Sequence, residues 1–367
     1  MRVAVWPRWG AAAAALAASV VIGVVAAGAF TPSANPDEVP PAANLFMLVL
    51  AIGLLVAFVA YAAVEWLQTR RLDSIARQFT TRTIVLMALA IPINIVLGQT
   101  VASALKLPIY LDSIGTILVG VLAGPIAGAA TGLLSNLTWT FLLAGTPLGS
   151  PFAWPFAIVA AVIGFIAGIV GRAGVFRSRP GSPTRQLAMA SGLAVAILGG
   201  LAIWGILPFY RCVGAASGSL CVEVINTDPA ADSTFRILGL GVLSLLLALI
   251  VVAVVRVARS RDLGVLLALL AGVLCGVIAA FVAAPIAALV FGGVTGSGTD
   301  FLVALYQQAG ADLVQAVLQQ SLISDPIDKA ITFVAVFTIL GSMSRRMLAR
   351  FPQGERAIAA PATEAGS

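Results

Sequence analysis

The chain has 367 residues, 60% of them hydrophobic and 10% charged, with a formal net charge of +6. A soluble domain carries roughly 25% charged residues, and the apolar runs here are continuous over about 18 residues or more, so a soluble fold and an alternating β-barrel are both excluded. There is no histidine and there are three cysteines without metal-ligand spacing, which removes the commonest general base and zinc ligand; no metal, cofactor or nucleic acid is expected.

Residues 1–10 carry Arg2 and Arg8, and an apolar run follows over 11–30. The pattern resembles a signal peptide. The run is about long enough to span, however, and a second one follows closely, so it reads as an uncleaved first helix. A Pro-rich acidic loop at 31–44 leads to a second span over 45–66. Next comes a basic loop with Arg70, Arg71, Arg77 and Arg82. Arginines favour the cytoplasmic side, so both basic stretches lie inside and the Asp37–Glu38 loop outside.

The next strongly basic loop, with Arg172, Arg177, Arg179 and Arg185, should also lie inside. The crossings between Arg82 and Arg172 must then be even in number, yet hydropathy alone finds three runs. Splitting the middle region at Gly124-Pro125 gives four: 83–98, 112–123, 126–143 and 151–171. Proline fits a first helical position, and Gly124, Gly128 and Gly132 let helices approach closely. The stretch 107–136 therefore reads as a tight helical hairpin.

A span over 187–209 then leads to a loop at 210–236 holding Cys212 and Cys221, which could pair if that loop faces an oxidising compartment. A return span covers 237–255, and another covers 263–284. A glycine-rich stretch at 292–300 precedes a moderately amphipathic segment, 301–323. The last span runs over 325–342, where Asp325 before Pro326 looks like an N-cap. Arg345, Arg346 and Arg350 return the C-terminus to the inside. The sum is about ten spans with both ends cytoplasmic, in a multi-pass plasma-membrane protein whose surroundings include lipid.

Ionisable groups near spans are expensive and mark candidate sites: Asp112, Asp300, Asp312, Asp325, Asp328, Lys329 and Lys106. In the ten-span reading they gather on the outer side with Tyr110, Trp139, Trp154, Gln307 and Gln308, while Asn94 lies within the span 83–98 and Asn136 at the end of the hairpin. The candidate substrate-binding set is Asn94, Tyr110, Asp112, Asn136, Trp139, Trp154, Asp300, Gln307, Gln308, Asp328 and Lys329. Each also has an ordinary role. Asp112 can cap its helix, Asp328 and Lys329 can pair at the membrane surface, and both tryptophans can anchor at the interface. No catalytic residue is assigned. A membrane enzyme using the Asp325 and Asp328 carboxylates is the least favoured alternative.

The segments LPIYLDSIGTILVGVLAGPIAGAATGLLSN, FGGVTGSGTD and SDPIDKAITFVAVFTIL resemble the substrate-binding S components of energy-coupling factor (ECF) vitamin transporters. The resemblance implies an all-α integral membrane protein with a six-helix core and two extra transmembrane hairpins. It divides the chain into an N-terminal hairpin and basic loop (1–82), two core parts (83–171 and 263–351), an inserted hairpin with the cysteine loop (172–262) and a polar tail (352–367). It further implies capture of a vitamin-like or heterocyclic small molecule from outside, with a separate membrane coupling subunit and cytoplasmic ATPase subunits as partners. No Walker motif is present in this chain. The family often shows Ala-x-x-x-Ala on its first core helix for docking the coupling subunit, and 83–98 lacks that spacing. The alternative is a membrane ligand sensor or scaffold on the same fold.

Overall fold

The computed structural model describes residues 6–26, 41–206, 261–308 and 310–358, with 248 and 252 singly. The loop 31–40, the Cys212–Cys221 loop, the return span 237–255 and the end of the tail lie outside the described residues. All regular structure among the described residues is helical. The main helices are α1 (Trp6–Ala26), α2 (Pro41–Thr69), α3 (Thr81–Gly98), α4 (Ile114–Ala123), α5 (Pro125–Leu137), α6 (Ala157–Arg172), α7 (Thr184–Ile206), α8 (Leu263–Phe291), α9 (Asp300–Gln308) and α10 (Leu313–Ser342). Wider π-helical turns extend α3 over Gln99–Ala104 and α5 over Thr138–Leu142.

Local chemistry sets several starts. Thr80, Asp262 and Asp312 accept hydrogen bonds from Thr83 N, Gly264 N and Gln315 N, and so cap α3, α8 and α10. Among the described residues, five helical segments are long and apolar enough to cross a membrane: Leu48–Thr69, Thr81–Ala104, Trp154–Arg172, Thr184–Gly205 and Leu263–Phe291. α10 has 30 residues, a length of about 45 Å, but carries Asp325, Asp328 and Lys329 along its middle.

The expected reversal at Gly124 is present. Gly124 has φ 132° and ψ 173°, a conformation essentially reserved for glycine. Pro125 opens α5, and α4 and α5 fold back so closely that a Cβ on Gly128 would stand 2.6 Å from Gly120 Cα. The elbow is fastened from both sides. Gln78 Oε1 accepts from Ile126 N (2.9 Å) and Ala127 N (3.3 Å), and Gln353 N donates to Leu122 O (2.8 Å). Gly124→Ala should cost about 1–3 kcal/mol through backbone strain alone. The added Cβ would also meet Gln78 Oε1 at 2.4 Å. Thermal unfolding in detergent measures this; an unchanged midpoint would show that the elbow tolerates a side chain.

Three elements differ from the sequence reading. α10 is one helix through Pro326, so Asp325 is not an N-cap and 325–342 is not a separate span. Proline is compatible with an apolar helix interior when neighbouring groups satisfy the freed backbone. For the same reason α8 continues through Pro285 to Phe291. Arg8 is not a loop arginine but a residue of α1, held by Glu65 of α2 at 3.1 Å.

α4 sits at the centre. It is buried from Gly115 to Ala123 apart from Leu118, and it packs against α3, α5, α6 and α10. The main core joins Ile117, Val121 and Leu122 of α4 to Ile163 of α6, Ala268 and Cys275 of α8, and Phe333 and Val336 of α10. α8 and α10 form an extensive pair. Gly272 and Gly276 of α8 touch the α10 backbone between Asp325 and Ala330, a small-xxx-small contact of the kind that drives helix pairing in lipid.

Candidate functional site

The close α8–α10 contact fixes the rotation of α10 and hence the direction of its polar residues. Asp328 is completely buried and turns toward the loop before α4. Its Oδ1 accepts from Tyr110 N (3.0 Å) and Leu111 N (2.8 Å). Leu111 has φ 53°, a costly conformation for a branched side chain, so the carboxylate holds a strained turn in place. The Asp328 Oδ2 takes the Lys329 ammonium. Lys329 Nζ also donates to Ser113 Oγ (2.9 Å) and lies 3.5 Å from Asp112 Oδ1. Asp112 therefore pairs with Lys329 instead of capping α4.

Two loops close over this cluster. Gly298 N donates to Ala102 O (3.1 Å), Lys106 Nζ donates to Gly296 O (2.5 Å), and the Tyr110 hydroxyl bonds Thr299 Oγ1 (2.8 Å). Burial, and next the charge of Asp325, push the Tyr110 hydroxyl far up, so it stays a neutral donor and acceptor. Thr299 continues the hydroxyl chain through Ser297 (2.6 Å) to Thr295 (2.8 Å). Asp300 folds back onto its own loop and accepts from Thr295 N, Thr295 Oγ1 and Gly296 N at 2.7–2.8 Å. The stretches 99–111 and 292–300 are thus stitched together as one roof.

Beneath the roof is a cavity of about 110 Å³. At ~10–15 Å³ per water position it holds roughly seven to eleven waters, the space of a ligand of about ten non-hydrogen atoms. Its aromatic wall is Tyr110, Trp139, Phe152 and Phe156. Trp139 is fixed by Nε1 donating to Leu148 O (2.8 Å), and Phe156 stacks on Phe291 with centroids 5.8 Å apart. A smooth floor comes from Ala279, Ala283 and Ala287 of α8, and polar groups come from Asn136, Gln320, Ser321, Asp325 and Lys329.

Of the sequence candidates, Tyr110, Asp112, Asn136, Trp139, Asp300 and Lys329 line this one cavity. Asp328 stands behind it as the anchor of the roof. Asn94 lies away from it: Nδ2 donates to Thr116 Oγ1 (2.8 Å) and Ser135 Oγ (3.0 Å), while Oδ1 accepts from Gly115 N (2.8 Å), tying α3, α4 and α5 together. Trp154 is 41% exposed and off the lining. Gln307 is on the exposed side of α9, and the side chain of Gln308 lies outside what the structure describes. Asp325, an ionisable candidate that the sequence also offers as a helix cap, lines the cavity, as do Phe152, Phe156, Gln320 and Ser321, which the sequence does not single out. A signal existed in the four-residue spacing of Ser321, Asp325 and Lys329, and in the same spacing of Ala279, Ala283 and Ala287, which each put three residues on one helical stripe.

Comparisons with known proteins bear on the same region. The family model described as "ECF transporter, substrate-specific component" matches residues 82–238. No curated protein and no solved structure matches the chain. The matched residues contribute α3 to α7, including Tyr110, Asp112, Asn136 and Trp139; the α8, 292–300 and α10 walls follow the match. The match also runs on through 172–238, where the sequence reading places an insertion. Residues 82–238 are thus similar to ECF-type substrate-specific components, in an all-α protein whose described residues include helices long and apolar enough to cross a membrane.

Proposed function

We propose that the protein is the substrate-capture subunit of an ECF-type importer. It takes a vitamin-like or other small heterocyclic molecule into the cavity beneath the 99–111 and 292–300 roof. The observation that carries this reading is the convergence of polar groups and four aromatic rings on one cavity, part of whose wall lies in the region matching a substrate-specific component. Sites of this kind are mostly apolar with a few convergent polar groups. The wider reading has a six-helix core, two extra hairpins and about ten spans in the plasma membrane, with both termini cytoplasmic and the cavity opening outward. ATP-driven uptake is supplied by a separate coupling subunit and ATPase subunits. Thermal unfolding of the purified full-length chain against a panel of vitamins and related heterocycles tests the capture step. A saturating rise in midpoint with one compound class is expected; no stabilisation across the panel overturns it. Co-purification of a coupling subunit and ATPases from the native membrane tests the transport step.

A second reading, a ligand sensor or scaffold without transport, is favoured by one observation. The exposed face of α3 carries Ile84, Val85, Leu89, Ile93 and Val96, large residues where the resemblance would place small ones for docking. Ligand binding without co-purifying ATPases would select this reading.

A further inference from the structure

The cavity has three carboxylates on its lining, and they are not equivalent. Asp300 is satisfied by three donors of its own loop, and Asp112 faces Lys329. Asp325 is 7% exposed and lines the cavity; its side chain makes no hydrogen bond or close ion pair among the described residues, and Lys329, one turn along α10, acts on it only at longer range. Lys329 is the one basic residue on the lining, and its ammonium is already held by Asp328, Ser113 and Asp112. Lys106 is spent on Gly296 O. Keeping a buried carboxylate ionised without a close partner is unfavourable, and it either takes a proton or gains from a cation. A ligand bringing positive charge would relieve that cost, and an anion would add to it.

We infer that the ligand of this cavity is a small organic monocation, its positive centre on Asp325 and its flat body against the aromatic wall. The inference rests on the capture reading above. Aromatic faces attract organic cations, and Trp139 and Tyr110 provide them here. A metal ion is disfavoured because no group of three or more metal-ligating side chains occurs among the described residues. Asn136, buried on the lining, with no side-chain hydrogen bond among the described residues, provides a neutral amide for a polar atom elsewhere on the ligand.

The test uses the full-length protein in lipid nanodiscs and three near-isosteric probes: benzamidine (cation), benzamide (neutral) and benzoate (anion). Binding is read by tryptophan fluorescence and by the thermal midpoint. Benzamidine should bind at least tenfold more tightly than benzamide, with benzoate weakest. Asp325→Asn should erase the difference between benzamidine and benzamide. The same variant should leave the midpoint of the ligand-free protein equal or raise it, because it removes a buried acid that faces the carboxylates of Asp112 and Asp328; a lowered midpoint overturns the claim that the Asp325 carboxyl has no close partner. Benzamide or benzoate binding as tightly as benzamidine, or a charge preference that survives Asp325→Asn, overturns the inference and leaves capture standing. Silence of all three probes, together with the vitamin panel, counts against both.

Discussion

Replacing Lys329 with methionine is expected to destabilise the folded protein by about 3–5 kcal/mol, the usual cost of removing one partner from a buried ion pair. Methionine keeps most of the side-chain volume, so the loss is electrostatic. Three carboxylates, Asp112, Asp325 and Asp328, would then share the interior with no ammonium among them. Because Asp328 also holds Tyr110 N and Leu111 N, the roof should loosen with it. The double variant Asp328→Asn/Lys329→Met separates the causes. Asparagine Oδ1 can still accept from both backbone N–H groups, while one buried charge is gone, so the double variant should recover much of the loss. Thermal unfolding in detergent reads all three proteins. A Lys329→Met midpoint equal to that of the wild type would show that the ammonium does not hold the cluster together.

Gly164→Leu should prevent accumulation of folded protein. A Cβ at Gly164 would lie 2.2 Å from Gly128 O and 2.3 Å from Gly128 C, so the obstacle is backbone and cannot rotate aside. Overpacking a core commonly costs about 1–3 kcal/mol. Forcing α5 and α6 apart along their shared stripe belongs in the exceptional range above about 4 kcal/mol. The matched control is Gly192→Leu on α7, where nothing lies within 4 Å and the change should stay within about 0.5 kcal/mol. Yield of monodisperse protein on size exclusion, followed by thermal unfolding, compares the two. Equal behaviour of both variants would refute the close α5–α6 approach.

The reversal at Gly124-Pro125 was legible because its chemistry is local: a glycine-only conformation and a proline without an N–H fix a boundary whatever surrounds them. The same logic failed at Pro326. Asp-Pro at a helix start and Asp-Pro inside a long apolar helix look alike in sequence, and only the α8 contact at Gly272 and Gly276 decides between them. That contact also sets which way α10 faces. It sends Asp325 to the cavity and Asp328 to the roof, a division that residue spacing on one helix cannot assign. Tyr110 and Trp139 were found as polar-tipped rings beside a hairpin; Trp154 satisfied the same criterion and lies outside. Phe152 and Phe156 gave no such signal, because in an apolar sequence a cavity-facing phenylalanine is indistinguishable from a lipid-facing one.

α4 has only 10 residues, so it is a stiff strut about 15 Å long. The residue just before it, Ser113, lies on the cavity edge, and its Leu122 carbonyl accepts from Gln353 N, beside the Gln78 bond to the elbow. A helix so short does not bend between those points. Tilting one end displaces the other, and the C-terminal segment near Gln353 shares mechanically in whatever happens at the cavity.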